Sequence, residues 1–338
     1  MIRILLRGGS VLAALILGIL VLSPTSRAQT QPGTWSTAAP LAIARSEMKA
    51  ATVNGKIYLV GGAWDESTGE DRITNYTSGY TSEYDPVTNT WRERARAPEG
   101  LTHQALAELN GKLYVVGGFA GSRHTQSSAG AYVYDPAIDQ WQALTSPPTG
   151  RQGGGVLVAA GGMLHAIGGR SMGDGEGSSV FADHEVFDPA TNAWHYAAPL
   201  PTPRDHAAGF VVDGKIHVIG GRLGETEDNV GTHEVYDPVT DRWTSAPPMP
   251  TARSSLAYAE YHGLLFIAGG ECRREGGTFG QVEAFDVATN KWLSYPDLPT
   301  SRHAFAAAVA DGKLFFFGGS TRCGGGGKVD DMLVLSVN

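Results

Sequence analysis

The chain has 338 residues, of which 18% are charged and 45 are glycine, and its formal net charge is −8. That acidic balance argues against nucleic acid as a partner and against a general attraction to anionic membranes. No window beyond the first 25 residues or so sustains a helical period, which excludes a helix bundle and leaves many short strands joined by tight turns.

The first element reads as a targeting signal. Arg3 and Arg7 make a basic start, Val11 to Leu22 is an unbroken small-and-apolar core, and Ser26-Arg27-Ala28 is a small-x-Ala cleavage site. A retained membrane anchor is the alternative, but a core of this length is short against the ~20 residues a span needs. The expectation is therefore a signal peptide over 1–28, cut after Ala28, and one domain over 29–338, secreted or periplasmic. Loss of Arg3, Arg7 and Arg27 leaves 23 basic residues against 34 acids, a net charge of −11.

Beyond that point the chain repeats. A glycine pair ends a short apolar run six times, at Gly61-Gly62, Gly117-Gly118, Gly168-Gly169, Gly220-Gly221, Gly269-Gly270 and Gly318-Gly319. Trp35, Trp91, Trp141, Trp194, Trp243 and Trp292 precede these pairs by 26 residues, or 27 in the third case. In the last five repeats an aromatic-Asp turn, beginning at Tyr84, Tyr134, Phe187, Tyr236 or Phe285, stands 7 residues before the tryptophan. A period near 50 with three markers in constant register is the signature of a propeller or solenoid.

Each repeat predicts four strands, a to d from the centre outward. Strand a is small and apolar, as in Ala304 to Ala310. A two-residue turn follows, at Asn54-Gly55, Asn110-Gly111, Ala160-Gly161, Asp213-Gly214, His262-Gly263 and Asp311-Gly312. Strand b runs to the glycine pair, strand c to the aromatic-Asp turn, and strand d carries the tryptophan as inter-blade core. The N-terminus supplies only a strand d (Thr34 to Thr37), and the C-terminus stops after strand c (Met332 to Leu335). Pairing the two ends would close a ring of six blades.

The paired glycine, aromatic-Asp-Pro turn and following tryptophan resemble the kelch repeat family, over almost all of 34–337. The resemblance implies an all-β fold, a six-bladed β-propeller of four-stranded blades closed by the N-terminal strand d on the C-terminal strand c. It says little about activity.

Candidate site residues fall on the face that carries the d–a and b–c connections, where all the length variation lies. Arg45, Arg204, Arg253 and Arg302 stand 16 residues before their glycine pairs and Arg151 stands 17 before; Leu101 breaks the series. They either clamp an anion by paired hydrogen bonds or bond to the backbone of the next blade. Trp64, Arg170 and Arg222 join them as ligand-binding candidates from the variable b–c loops. His103, His206 and His303 lie near the mouth, just inside strand a, and are general-base candidates. Glu185, Glu234 and Glu283, each 3 residues before a turn aspartate, read as structural.

Cys272 and Cys323 follow their glycine pairs in neighbouring repeats, and a disulfide is expected in an oxidising compartment. Two cysteines 51 apart offer no zinc-type spacing, and no phosphate loop or nucleophile elbow occurs, so neither metal nor cofactor is expected. Two functions fit. One is a monomeric binding module holding a protein, an acidic glycan or a small anion on its loop face. The other is a periplasmic sugar-modifying enzyme similar to the kelch-type sialic acid (N-acetylneuraminate) mutarotases, an isomerase in which His206 or Glu225 would move the proton. The chain lacks the long blade insertions of that class.

Overall fold

The computed structural model describes residues 30–64, 76–121, 126–150, 153–171, 179–225, 228–273 and 276–337. The signal segment, Arg151 and most of the two longest b–c loops lie outside the described residues. Among the described residues no helix is long and apolar enough to cross a membrane.

Six four-stranded antiparallel sheets follow one another, each in the order a-b-c-d. Their innermost strands are Lys49–Val53, Ala105–Leu109, Val156–Ala160, Ala208–Val212, Ala257–Tyr261 and Ala306–Ala310, for blades 1 to 6. These stand side by side around an axis, and small residues such as Ala208, Ala257 and Ala307 let them approach. In blade 1 the apolar run Lys56–Val60 is strand b, and Thr81–Asp85 and Thr90–Glu93 are c and d. The turn between a and b is of the expected kind: Asn54 and Gly55 have φ of 49° and 75°, the left-handed pair a tight hairpin requires. In blade 3 the turn falls one residue later than the sequence suggests, on Gly161 and Gly162, because Ala160 still pairs with Met163.

Blade 6 takes its outer strand from the other end of the chain. Gly33–Ala38 pairs antiparallel with Met332–Val337, placing Trp35 opposite Leu335. The fold is a six-bladed β-propeller closed between its two termini, which leaves no unpaired first or last blade.

The tryptophans join blade to blade in a single repeated contact. Each indole Nε1 donates to the carbonyl four residues after the preceding tryptophan: Trp91 to Ala39 (2.9 Å), Trp141 to Ala95 (2.9 Å), Trp194 to Thr145 (2.8 Å), Trp243 to Ala198 (2.8 Å) and Trp292 to Pro247 (2.9 Å). Trp35 completes the cycle by donating to Pro296 at 3.2 Å. Inside this belt the core lies between blades. At the closure, Ile57, Leu59 and Tyr84 of blade 1 pack on Phe315, Phe317 and Val334 of blade 6.

The glycine pairs do what bulkier residues would prevent. The Gly221 amide donates to the Arg253 carbonyl of the next blade at 3.0 Å. A Cβ on Gly221 would lie 2.6 Å from the Asp205 carbonyl oxygen, with φ at 99°. Only glycine satisfies both constraints there.

Candidate functional site: a polar cluster on the axis

The arginine series is part of the blades and not of the mouth. Arg45, Arg204, Arg253 and Arg302 are at most 3% exposed. Arg204 donates to the carbonyls of Gly220 (2.8 Å), Thr202 (2.8 Å) and Val218 (3.0 Å) and pairs with Glu234. Arg253 repeats the pattern on Gly269 (2.8 Å), Thr251 (2.8 Å) and Ile267 (3.1 Å), with Glu283 as counter-ion. Arg302 uses Gly318 and Asp331, while Arg45 uses Gly61 and Ser82. The partners belong to the arginine's own blade, which corrects the expected bond to the next one. Burial draws the Arg253 guanidinium below its usual range, and Glu283 opposes that shift. An arginine used up in this way presents no face to a ligand, so the anion-clamp reading of these four is set aside. Arg151 lies outside the described residues.

A different constellation occupies the axis at the same face. Two residues before each strand a stands one residue with left-handed backbone: Glu47, His103, Gly154, His206, Ser255 and Ala304, with φ between 54° and 76°. Their main chains form a ring. The amides of His103, Gly154, His206, Ser255 and Ala304 each donate to the carbonyl of the ring residue one blade earlier, at 3.2, 2.8, 2.7, 3.1 and 3.0 Å. Glu47 donates to Ala304 at 2.7 Å and closes the hexagon. Left-handed backbone costs about 1 kcal/mol at a non-glycine residue, and the hydrogen bond each residue makes to its ring neighbour offsets it. Gly154 has a second reason to be glycine: a Cβ there would meet Nδ1 of His206 at 2.9 Å.

A second circle of side chains lies against this ring, from the residue directly after each glycine pair: Ala63, Phe119, Arg170, Arg222, Glu271 and Ser320. Antiparallel bridges, Asp205 with Arg222 and His303 with Ser320 among them, hold the two circles together. Charge gathers on blades 3 to 5. Arg222 lies 3.2 Å from Asp205, 2.8 Å from Glu271 and 3.3 Å from Nε2 of His206. Arg170 lies 3.3 Å from Oδ2 of Asp205, the same oxygen that faces Nδ1 of His206 at 3.0 Å. Across the ring, Nε2 of His103 is 3.1 Å from the Glu47 carboxylate, and the His103 and His206 rings meet edge to face at 4.9 Å.

Burial sets the direction of the shift at Glu47 and His206, and charged neighbours set it at Asp205. Burial raises the Glu47 carboxyl to about 8, with Glu271 adding to the shift. It lowers His206, with Arg222 pushing the same way and Asp205 opposing. Asp205 is itself held below its ordinary range, because His206, Arg222 and Arg170 together outweigh its burial.

The structure thus brings His103, His206, Arg170 and Arg222 together, with His303 at the edge of the cluster 3.8 Å from Glu271, and leaves Glu225 and Trp64 apart. His103 and His206 precede strand a instead of lying inside it. His303 sits one register position earlier, fully buried, with Nε2 2.9 Å from the Arg322 carbonyl. Glu225 is exposed in the b–c loop, where its carbonyl accepts the Asp228 amide at 3.1 Å; the carboxylates beside His206 are those of Asp205, Glu271 and Glu47. Trp64 is half-buried in a two-stranded ribbon with Tyr76. Sequence reading missed Glu47, Asp205 and Glu271. The signal available was register, since Arg170, Arg222 and Glu271 occupy the same position after three successive glycine pairs.

The larger cavity, about 420 Å³, is the channel between the six strands a. Alanines, valines and leucines from all blades line it, and Glu108 and Glu260 are tied to the a–b turn amides of Gly111 and Gly263 at 2.7 Å. Its lining follows from the repeat itself. Cys272 and Cys323 are bonded, linking the b–c loops of blades 5 and 6 beside Glu271.

Comparison with known proteins agrees with this architecture. The family model for the KLHDC2/KLHL20/DRC7 kelch-repeats domain matches residues 19–221, and the kelch motif model matches 203–250. Kelch-like protein terF of Aspergillus terreus is 32% identical over 232 residues, covering 62% of this chain and 48% of that protein. Kelch-like protein 35 of Mus musculus is 32% identical over 201 residues, covering 59% of this chain and 31% of that one. The chain therefore spans less than half the length of these relatives. The solved structure of YjhT superposes with a TM-score of 0.73 at 19% identity, over 90% of this chain and 98% of that one, a likeness of fold. The six glycine pairs, the tryptophan belt and the matched domain model together place this chain in the kelch-repeat β-propeller family.

Proposed function

We propose that the chain is an exported, monomeric binding module whose loop face, centred on the axial cluster, holds a glycan or protein segment carrying an acidic group. One observation carries this reading. Residues that serve the repeat recur in the blades, as the tryptophans and glycine pairs do. Around the mouth no residue type recurs in more than two of the six blades: Glu, His, Gly, His, Ser, Ala in the ring and Ala, Phe, Arg, Arg, Glu, Ser beside it. A position that tolerates several residue types across the copies of a repeat is not fixed by the repeat, and variable residues on one face of a rigid scaffold are where binding resides. Arg222 is buried as well, but its partners are the side chains of Asp205, Glu271 and His206 and not the carbonyls of its own blade, so an incoming carboxylate would reach it by taking the place of Glu271. The Cys272–Cys323 bond supports the exported address. The test is a thermal-shift screen of the full mature chain against acidic sugars and acidic peptides. Stabilisation by a few degrees, lost in Arg222→Gln, is the expected result.

The sugar-isomerising alternative has one observation in its favour, the placement of Asp205 at Nδ1 of His206 with Arg222 at Nε2. A neutral histidine oriented by a carboxylate is a competent proton carrier. Exchange between the anomers of N-acetylneuraminate, followed by NMR, tests it: a catalysed rate that falls at least tenfold in His206→Gln supports this reading, and an uncatalysed rate removes it.

A further inference from the structure

We infer that Glu47, His103 and His206 form a binding site for one divalent transition-metal ion, zinc by preference of donor set, on the propeller axis. The inference is independent of the organic ligand proposed above. One donor atom from each residue lies within 4.8 Å of the other two. Some point then lies within about 2.8 Å of all three atoms, and shifts below an ångström reach the ~2.0–2.2 Å of zinc–nitrogen and zinc–carboxylate bonds. Two imidazoles and one carboxylate are a set used by zinc and by other first-row ions where a coordination position is kept open.

Two further observations point the same way. A cavity of about 20 Å³ lies at the ring, lined by Glu47, His103, Gly154, His206 and Ser255, enough for a single water on the open position. Asp205 stands at Nδ1 of His206, the outer carboxylate that commonly orients a ligating histidine. The Asp205 oxygen that faces Nδ1 also lies 3.3 Å from Nε of Arg170, so that carboxylate is held from two sides. With Nδ1 turned to Asp205 and Nε2 in contact with Arg222 at 3.3 Å, ligation through Nε2 requires the Arg222 guanidinium to move aside. The three donors come from blades 1, 2 and 4 and are 56 and 103 residues apart, so no spacing motif reveals them and sequence reading expects no metal.

The experiment uses the full mature chain, stripped with a chelator and freed of any affinity tag, titrated with Co²⁺ and with Zn²⁺. Uptake is followed by calorimetry and by the visible d–d bands of low-coordinate cobalt. One equivalent of ion is expected, with affinity at least ~10-fold weaker in Glu47→Gln and in His103→Ala and unchanged in the exposed His262→Ala. Ala304 already holds the same backbone conformation in the ring, so His103→Ala leaves the main-chain hexagon intact. Anomalous scattering from wild-type crystals soaked in Zn²⁺ supplies a reading that needs no variant, with a peak expected between the three side chains. No uptake by the wild type, uptake undiminished in both ring variants, or a peak elsewhere would overturn the inference.

Discussion

The amide of Glu47 donates to the carbonyl of Ala304 over 2.7 Å, joining the first blade to the last at the axis. At the rim Trp35 donates to Pro296 and stands opposite Leu335. The propeller is thus fastened twice, by a main-chain ring at its centre and an indole belt near its edge. The chain's two ends meet at the second.

Trp35 should therefore matter more than its half-exposed position suggests. Trp35→Ala removes the Pro296 bond and the packing on Phe316, whose ring lies 5.5 Å away. A loss of about 3 kcal/mol is expected from chemical denaturation. Thr34→Ala, exposed on the same strand, should change stability by less than ~0.5 kcal/mol.

The buried arginines are expected to act on stability without any ligand present. Arg253→Ala leaves Glu283 inside the blade without its counter-ion and three carbonyls without their donor. Breaking a pair of this kind costs roughly 3–5 kcal/mol. Replacing Arg253 and Glu283 together by methionine and leucine should cost clearly less than the single change. Equal losses would contradict the reading of a paired internal charge.

Acidification should unfold the protein through two buried histidine pairs. His165 lies 2.8 Å from His184, and His217 lies 2.9 Å from His233. Burial holds His165 and His217 at about 4 and His233 at about 3. The unfolded chain titrates these near 6.5, so below that pH it binds more protons than the folded chain. The contribution is fully present above pH 6.5 and is lost as pH falls towards 4 and 3. Denaturant midpoints measured across this window should drop steadily, and the drop should be shallower in His217→Asn. A midpoint that rises on acidification would contradict the assignment.

Reduction should loosen blades 5 and 6. The Cys272–Cys323 bond closes a loop of 51 residues. In the chain-entropy account such a loop contributes about 4 kcal/mol, an upper value here because the closed ring already restrains both loops. A fall of several degrees in melting temperature is expected with dithiothreitol and equally in Cys272→Ser/Cys323→Ser, and no further fall when the two are combined.

The belt was legible in the sequence because its residues recur: tryptophan 26 residues before a glycine pair can be counted without a structure. The ring was not. Its six positions share a backbone conformation and no residue type, and only Gly154 announces a positive φ by its identity. The arginine series shows a third case. Sixteen residues of spacing correctly ties Arg204 to Gly220, but spacing cannot say whether the guanidinium turns inward to Glu234 or outward to solvent. Burial decided that, and burial belongs to the packed blade.

Side-by-side binding measurements at the two ends of the axial channel test the central claim, that the loop-face cluster is where this propeller meets its ligand. Acidic-glycan and acidic-peptide arrays would be probed with wild type, with Arg222→Gln in the cluster and with Glu260→Gln at the opposite opening. The account predicts binding by wild type and Glu260→Gln, and at least tenfold weaker binding by Arg222→Gln. Full retention in Arg222→Gln, a loss confined to Glu260→Gln, or no binding by the wild type would contradict it.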